Sequence, residues 1–324
     1  MVRGLRHLAK LRAVRSVREK VSQAGSSEQA AYNKWPVVLG RLLALAGGVF
    51  VLERLWRYRD GLNVQLWAWQ DWASVAALAC AYAVINGLLA LGWHHLLRHR
   101  SERQSLVWSL GVYALTQLSK YIPGNVFQFA GRQIMGGTAG LGQKSLLYSS
   151  AMEILFLVLA ALCFVPVLLP VAFPGVLPYA SAGLAALLLL ALPPCVHTMG
   201  GRRLGIAATA YATFVVLSGA IFLGVLTLCG GQLTSGHDAL TVVGAFVISW
   251  LAGLLTPGAP AGIGVREAIL LLLLDDLVAE SVVVTSVVTG RVVTTIGDVV
   301  FFGIGLLVGG SNGPSRGQAG PRGN

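Results

Sequence analysis

Long apolar stretches separated by short polar segments dominate the pattern of this chain. A helix needs about 20 apolar residues to cross the hydrocarbon core of a bilayer. Six stretches reach that length: 36–56, 73–97, 145–169, 176–198, 205–229 and 281–309. The pattern predicts an all-α polytopic membrane protein with about six full spans.

Two further apolar regions, 105–135 and 239–277, are interrupted by a Pro-Gly step, at Pro123-Gly124 and at Pro257-Gly258. Proline lacks a backbone N–H and clashes with the preceding helical turn, so each step breaks a helix. In lipid such a break is tolerated only where the freed backbone groups are buried in protein or line a wet cavity. Interrupted apolar segments in matching positions of two halves are typical of transporters. We therefore expect two re-entrant hairpins with mostly short arms.

Charged residues make up only 11% of the chain, against about 25% in soluble domains. The net charge of +11 is concentrated in a basic arm, residues 1–35, which carries seven of the 24 lysines and arginines within its first twenty positions. The arm is either an amphipathic helix on an anionic leaflet or a plain cytoplasmic anchor. Residues 310–324 are rich in Gly and Pro and are expected to form a disordered tail. This distribution indicates a membrane surface, and no nucleic acid, as the partner of the basic residues.

The cysteines and histidines give no sign of a metal or a cofactor. Four cysteines occur singly in apolar segments, without C-x-x-C spacing, and are expected to pack as small apolar residues. His94 and His95 are adjacent and precede a basic loop, so we expect them at the membrane interface.

The basic loops predict the orientation of the chain. If each broken region returns to its own side, then Arg98–Arg103, Lys144 and Arg202-Arg203 fall in the cytoplasm with both termini, and Gly230–Asp238 falls outside. This agrees with the positive-inside rule. The two hairpins then enter from opposite faces, and such inverted repeats are associated with alternating access around a midplane site. We expect a multi-pass protein of the cell (inner or plasma) membrane.

The residues around the two breaks form extended phrases, KYIPGNVFQFAGR at 120–132 and TPGAPAGIGVREA at 256–268. In each phrase an arginine lies nine positions after the proline. The two phrases, in this order, resemble the paired signatures of the lysylphosphatidylglycerol synthase transmembrane-region family, also called flippase-like domain proteins. The resemblance covers residues 36–309, although Pro260 stands where the family usually shows a Gly-Gly step.

The resemblance implies a lipid-handling membrane domain. After the last predicted span only residues 311–324 remain, too few for the soluble aminoacyl-transferase domain of the family's fullest members. We therefore expect the membrane half without the synthase, and no enzyme. The resemblance leaves the lipid open, either a phospholipid or a polyprenyl-linked glycolipid.

The phosphate of such a lipid needs cationic partners inside the membrane. Arginine binds phosphate bidentately through its planar fork, whereas lysine acts as a point charge. Half-helix N-termini at the breaks add backbone N–H groups and a dipole that favours an anion. The head-group site is predicted to contain Lys120, Tyr121, Gln128, Arg132, Arg266 and Glu267.

The same charges have a structural alternative, because ionisable groups inside membranes almost always pair. Pairing of Arg132 with Glu153, or of Arg266 with Asp298, would lock the hairpins into the bundle. Glu153, Arg291 and Asp298 are further candidates for ion pairs or for a proton relay, and Glu267 is a second candidate proton carrier. Arg291 and Asp298 lie seven positions apart, which is two turns on one helix face.

These observations favour a translocase for a lipid or a lipid-linked glycan, with hairpins that rearrange between the two leaflets. One alternative is a membrane scaffold or accessory subunit for a glycosyltransferase partner, and another is a membrane enzyme acting on lipid head groups. The sequence contains no GxxxxGK[ST] motif, so ATP binding at a P-loop is not expected. Movement would then be passive, ion-coupled or driven by a partner.

Overall fold

The computed structural model describes residues 68–122, 126–173, 175–256 and 265–309. Every regular element within these ranges is helical, which confirms the predicted all-α class. The α-helices of the described ranges are α1 (Trp69–His99), α2 (Leu106–Gln117), α3 (Phe127–Thr138), α4 (Gln143–Leu162), α5 (Val165–Ala172), α6 (Pro178–Gly200), α7 (Arg202–Leu228), α8 (Gly236–Leu255), α9 (Val265–Leu274) and α10 (Glu280–Gly309).

Six of the described helices are long and apolar enough to cross a membrane: α1, α4, α6, α7, α8 and α10. All but one of the predicted full spans fall on these helices. The first predicted span, 36–56, lies outside the described residues, as do the basic arm, 1–35, and the tail, 310–324. The chain is therefore a multi-pass membrane protein.

The predicted span 145–169 is divided into two helices. Helix α4 ends at Leu162, and α5 begins at Val165 after a short turn. Pro166 lies in the first turn of α5, where its missing N–H is harmless because the first N–H groups of a helix have no intrahelical partner. The uninterrupted apolar run concealed this boundary, since apolar character alone does not separate one helix from two.

The two broken regions differ in the length of their arms. In the first region, α2 and α3 each have 12 residues, and a 3₁₀ turn, Leu118–Tyr121, follows α2. In the second region α9 has only 10 residues, but α8 has 20 and is long enough to span a membrane alone. Three of the four arms are therefore short, as expected, and α8 is the exception. Both Pro-Gly steps lie outside the described residues, so the re-entrant paths stay predictions.

Helix α1 packs against α7, α10, α2 and α4, and its contact with α10 is especially close. A Cβ atom on Gly297 of α10 would lie 2.7 Å from the carbonyl oxygen of Ala79 and 2.9 Å from the Tyr82 ring. Small residues allow such close approach between transmembrane helices. The contact brings the buried Asn86 of α1 against Asp298 of α10.

Candidate functional site

A partly open cavity lies among the helices that carry the predicted site residues. Aromatic rings and charged groups both contribute to its wall, which is unusual for the interior of an apolar bundle. Its lining residues are Tyr82, Leu89, Tyr113, Gln117, Lys120, Tyr121, Gln128, Phe129, Glu153, Leu157, Phe214, Trp250, Leu254, Arg266, Arg291 and Thr294. Arg132, Glu267 and Asp298 do not line the cavity, but each bonds to a residue that does.

Arg132 of α3 and Glu153 of α4 form a bidentate ion pair. Arg132 donates from one terminal nitrogen to Glu153 Oε2 at 2.6 Å and from the other to Oε1 at 3.0 Å. The Tyr113 hydroxyl also donates to Oε1, at 2.9 Å. The pair that the structural alternative predicted is therefore present, and it ties α3 to α4.

Aromatic rings enclose the Arg132 guanidinium. Its central carbon lies 4.3 Å from the ring centroid of Tyr113, 4.9 Å from that of Phe129 and 5.7 Å from that of Trp93. Only 2% of Arg132 is exposed. A head group could reach this cation only by displacing both its carboxylate and its rings.

Asp298 of α10 collects donors from three other segments. Lys120 Nζ lies 2.7 Å from Oδ2 and donates to Oδ1 at 2.9 Å. The Tyr121 hydroxyl donates to Oδ2 at 2.6 Å, and the side-chain amides of Asn86 and Gln117 donate to Oδ1 at 3.0 and 3.4 Å. Asp298 is fully buried, whereas the Lys120 side chain is 17% exposed, so Lys120 is the member of the pair that faces the cavity.

The proposed pairing of Arg266 with Asp298 is wrong. Lys120 takes that place, because the 3₁₀ turn that carries it packs on α10, while the guanidinium of Arg266 lies over Phe246 of α8. Arg291 and Asp298 do share α10, but Arg291 does not pair with Asp298 within the described ranges. It bonds instead to Glu267 Oε1, from Nε at 3.0 Å and from a terminal nitrogen at 2.7 Å.

Arg266 is the exception among the four basic residues of this site. Its guanidinium carbon lies 4.4 Å from the Phe246 ring centroid, and it lines the cavity. Within the described part of the chain it forms no hydrogen bond and no ion pair. Lys120, Arg132 and Arg291 each hold one of three carboxylates. The charge cluster of these four basic residues and three carboxylates therefore carries one positive charge in excess.

Sequence reasoning missed Asn86 and Gln117, which both bond to Asp298. Asn86 is fully buried in the middle of α1. A signal was present, because an amide inside a long apolar run is costly unless it is hydrogen-bonded, but its partner could not be read from spacing.

No three His, Cys, Asp or Glu side chains in the described ranges are grouped so that they could hold a metal ion. No protein-family model matches the chain, and a search of curated proteins gives no match. The resemblance of the two Pro-Gly phrases to the flippase-like family therefore stays a prediction.

Proposed function

We propose that this membrane protein binds the anionic head group of a phospholipid or lipid-linked glycan in the cavity and moves it between leaflets. The observation that carries the proposal is Arg266, a half-buried arginine that has no carboxylate partner in the described ranges and lies at the wall of the cavity. An unpaired charge in an apolar bundle is costly. A phosphate oxygen would supply the missing partner, and the guanidinium fork can bind two such oxygens.

Lys120 is the second group available to a head group. It faces the cavity, and Asp298 keeps the neutral donors Tyr121, Asn86 and Gln117 when Lys120 turns away. Arg132 has a different role, because its ring enclosure and bidentate bond make it a structural link between α3 and α4.

The scaffold alternative has support from the three ion pairs, since fixed pairs between helices stabilise an assembly without binding anything. They account for Lys120, Arg132 and Arg291 but leave Arg266 unexplained. The enzyme alternative gains no comparable observation. Near Glu153, the hydroxyl of Ser149 bonds to Trp93 and Leu146, and that of Ser150 accepts from Gln133.

The test is the purified full chain reconstituted in vesicles with fluorescently labelled phospholipids. We expect transbilayer movement above that of protein-free vesicles, without chemical change of the lipid. Arg266→Gln should abolish most of the movement, and the exposed Arg202→Gln should retain it. Covalent change of the lipid would favour the enzyme alternative, and neither movement nor change would favour the scaffold.

A further inference from the structure

The aromatic faces of the cavity are already occupied by the protein's own cations. Arg132 lies over Tyr113 and Phe129, and Lys120 Nζ lies 5.8 Å from the ring centroid of Tyr82 and 5.5 Å from that of Tyr121. The remaining lining rings, Phe214 and Trp250, pack edge to face on each other with centroids 6.0 Å apart. An ammonium group normally binds such ring faces. Here the protein's own cations already contact the rings, and the positive charge cluster would repel a further cation.

The net charge of the charge cluster limits the negative charge of a ligand that can bind in the cavity. Lys120, Arg132 and Arg291 are each neutralised by a carboxylate, so among the charged residues that the structure describes at the cavity only the charge of Arg266 remains. One negative charge balances it. A second negative charge would stay uncompensated among these apolar helices, where an unpaired charge is expensive.

Two neutral polar groups of the wall are uncommitted. Within the described residues, neither the Tyr82 hydroxyl nor the Gln128 side-chain amide has a hydrogen-bond partner, and both residues line the cavity. Both groups can donate and accept hydrogen bonds. They therefore suit hydroxyl groups on a ligand, which can also donate and accept hydrogen bonds.

We infer that the cavity selects a phosphodiester head group with one net negative charge, whose second substituent is neutral and carries hydroxyls, as a polyol does. This inference rests on the proposed function and names its substrate class. Arg266, joined by Lys120, holds the phosphate, while Tyr82 and Gln128 bind the hydroxyls.

The experiment compares head groups on one set of acyl chains. Labelled phosphatidylglycerol is bound to the purified full chain in detergent micelles at pH 8, and unlabelled lipids compete for it. We expect phosphatidylglycerol and phosphatidylinositol to compete about tenfold to a hundredfold better than phosphatidylethanolamine, phosphatidylserine and phosphatidic acid, the range expected for one or two charge-assisted hydrogen bonds. Phosphatidylserine has the same net charge as phosphatidylglycerol but carries an ammonium group. Phosphatidic acid is a phosphomonoester, which can take a second negative charge.

Equal competition by phosphatidylserine or phosphatidylethanolamine would overturn the selection of a neutral substituent, and stronger competition by phosphatidic acid would overturn the charge balance. In both cases lipid binding itself would stand. If no lipid binds, the proposed function fails. If water-soluble glycerophosphoglycerol competes as well as the lipid, the head-group chemistry stands and the lipid part of the proposed function fails.

Gln128→Glu tests the charge balance without removing Arg266. It cancels the excess positive charge at nearly constant shape, so phosphatidylglycerol binding should weaken about tenfold or more. Gln143→Glu, the same change at an exposed position of α4, should bind as the unmodified protein does. Unchanged binding by Gln128→Glu would overturn the inference. If this variant fails to fold, the competition between head groups on the unmodified protein is the test of the inference.

Discussion

Arg132 and Arg266 follow their Pro-Gly steps at the same distance, but their surroundings separate their roles. Arg132 is held by Glu153 and three rings, whereas Arg266 contacts one ring and a cavity. Equal spacing predicted equal roles because sequence spacing carries no information about which acid or ring lies opposite.

Arg132→Gln should destabilise the protein by about 3–5 kcal/mol, because it leaves the buried Glu153 carboxylate without its cation. Glu153→Gln in the same chain should restore much of that stability. Arg266→Gln should unfold close to the unmodified protein, because it strands no carboxylate, yet it should lose lipid movement. Thermal unfolding in detergent, measured beside lipid movement in vesicles, separates the two outcomes. A strong loss of stability in Arg266→Gln would show that the arginine is structural.

Asn86→Ala should lower the free energy of unfolding by about 1–3 kcal/mol, because it removes a buried donor from Asp298. Val84→Ala, on an exposed face of the same helix, is the control and should cost less. In an Asp298→Asn chain the Asn86→Ala change should cost less than in the unmodified chain, since the bonded pair is coupled. Equal costs in the two backgrounds would contradict the bond.

At the scale of the helix, the apolar pattern predicted where elements lie better than where they end. Helices α1, α6, α7 and α10 each contain all or nearly all of a predicted span. A run of about 20 apolar residues predicts a spanning helix well, because that length crosses the bilayer core. The division after Leu162 and the length of α8 were missed. Both depend on local backbone breaks inside apolar sequence, which a hydropathy pattern does not record.

The contact of α1 with α10 sets the distance between Asn86 and Asp298, and Gly297 permits it. Gly297→Ala should destabilise by about 1–3 kcal/mol, because its new Cβ would press on the Ala79 carbonyl and the Tyr82 ring. Gly303→Ala in the same helix meets nothing within 4 Å and should be neutral or slightly stabilising. Thermal unfolding of the two variants in detergent is the measurement. Similar unfolding temperatures of the two variants would contradict the close contact of α1 with α10 at Gly297.

Across the whole molecule, the sequence identified the charged groups that line the cavity, but it did not identify how they pair. Lys120, Tyr121, Gln128 and Arg266 all line it, because charged and polar groups in apolar runs are rare enough to attract notice. Lys120 rather than Arg266 pairs with Asp298 because of how segments distant in sequence pack together. The pattern of residues along the chain does not show that packing.

The predicted orientation of the bundle can be tested with two exposed glutamines. The positive-inside rule places Gln143, beside Lys144, in the cytoplasm and Gln232, in the loop between α7 and α8, outside. Ser235 in the same loop is unsuitable for labelling, because its side chain caps α8. With the four native cysteines replaced by alanine, a membrane-impermeant maleimide added to intact cells should label Gln232→Cys and leave Gln143→Cys unlabelled. Both should react after the membrane is permeabilised. The reverse labelling would show that the bundle has the opposite orientation. Labelling of both positions in intact cells would place both outside, and this would remove the basis for hairpins that enter from opposite faces.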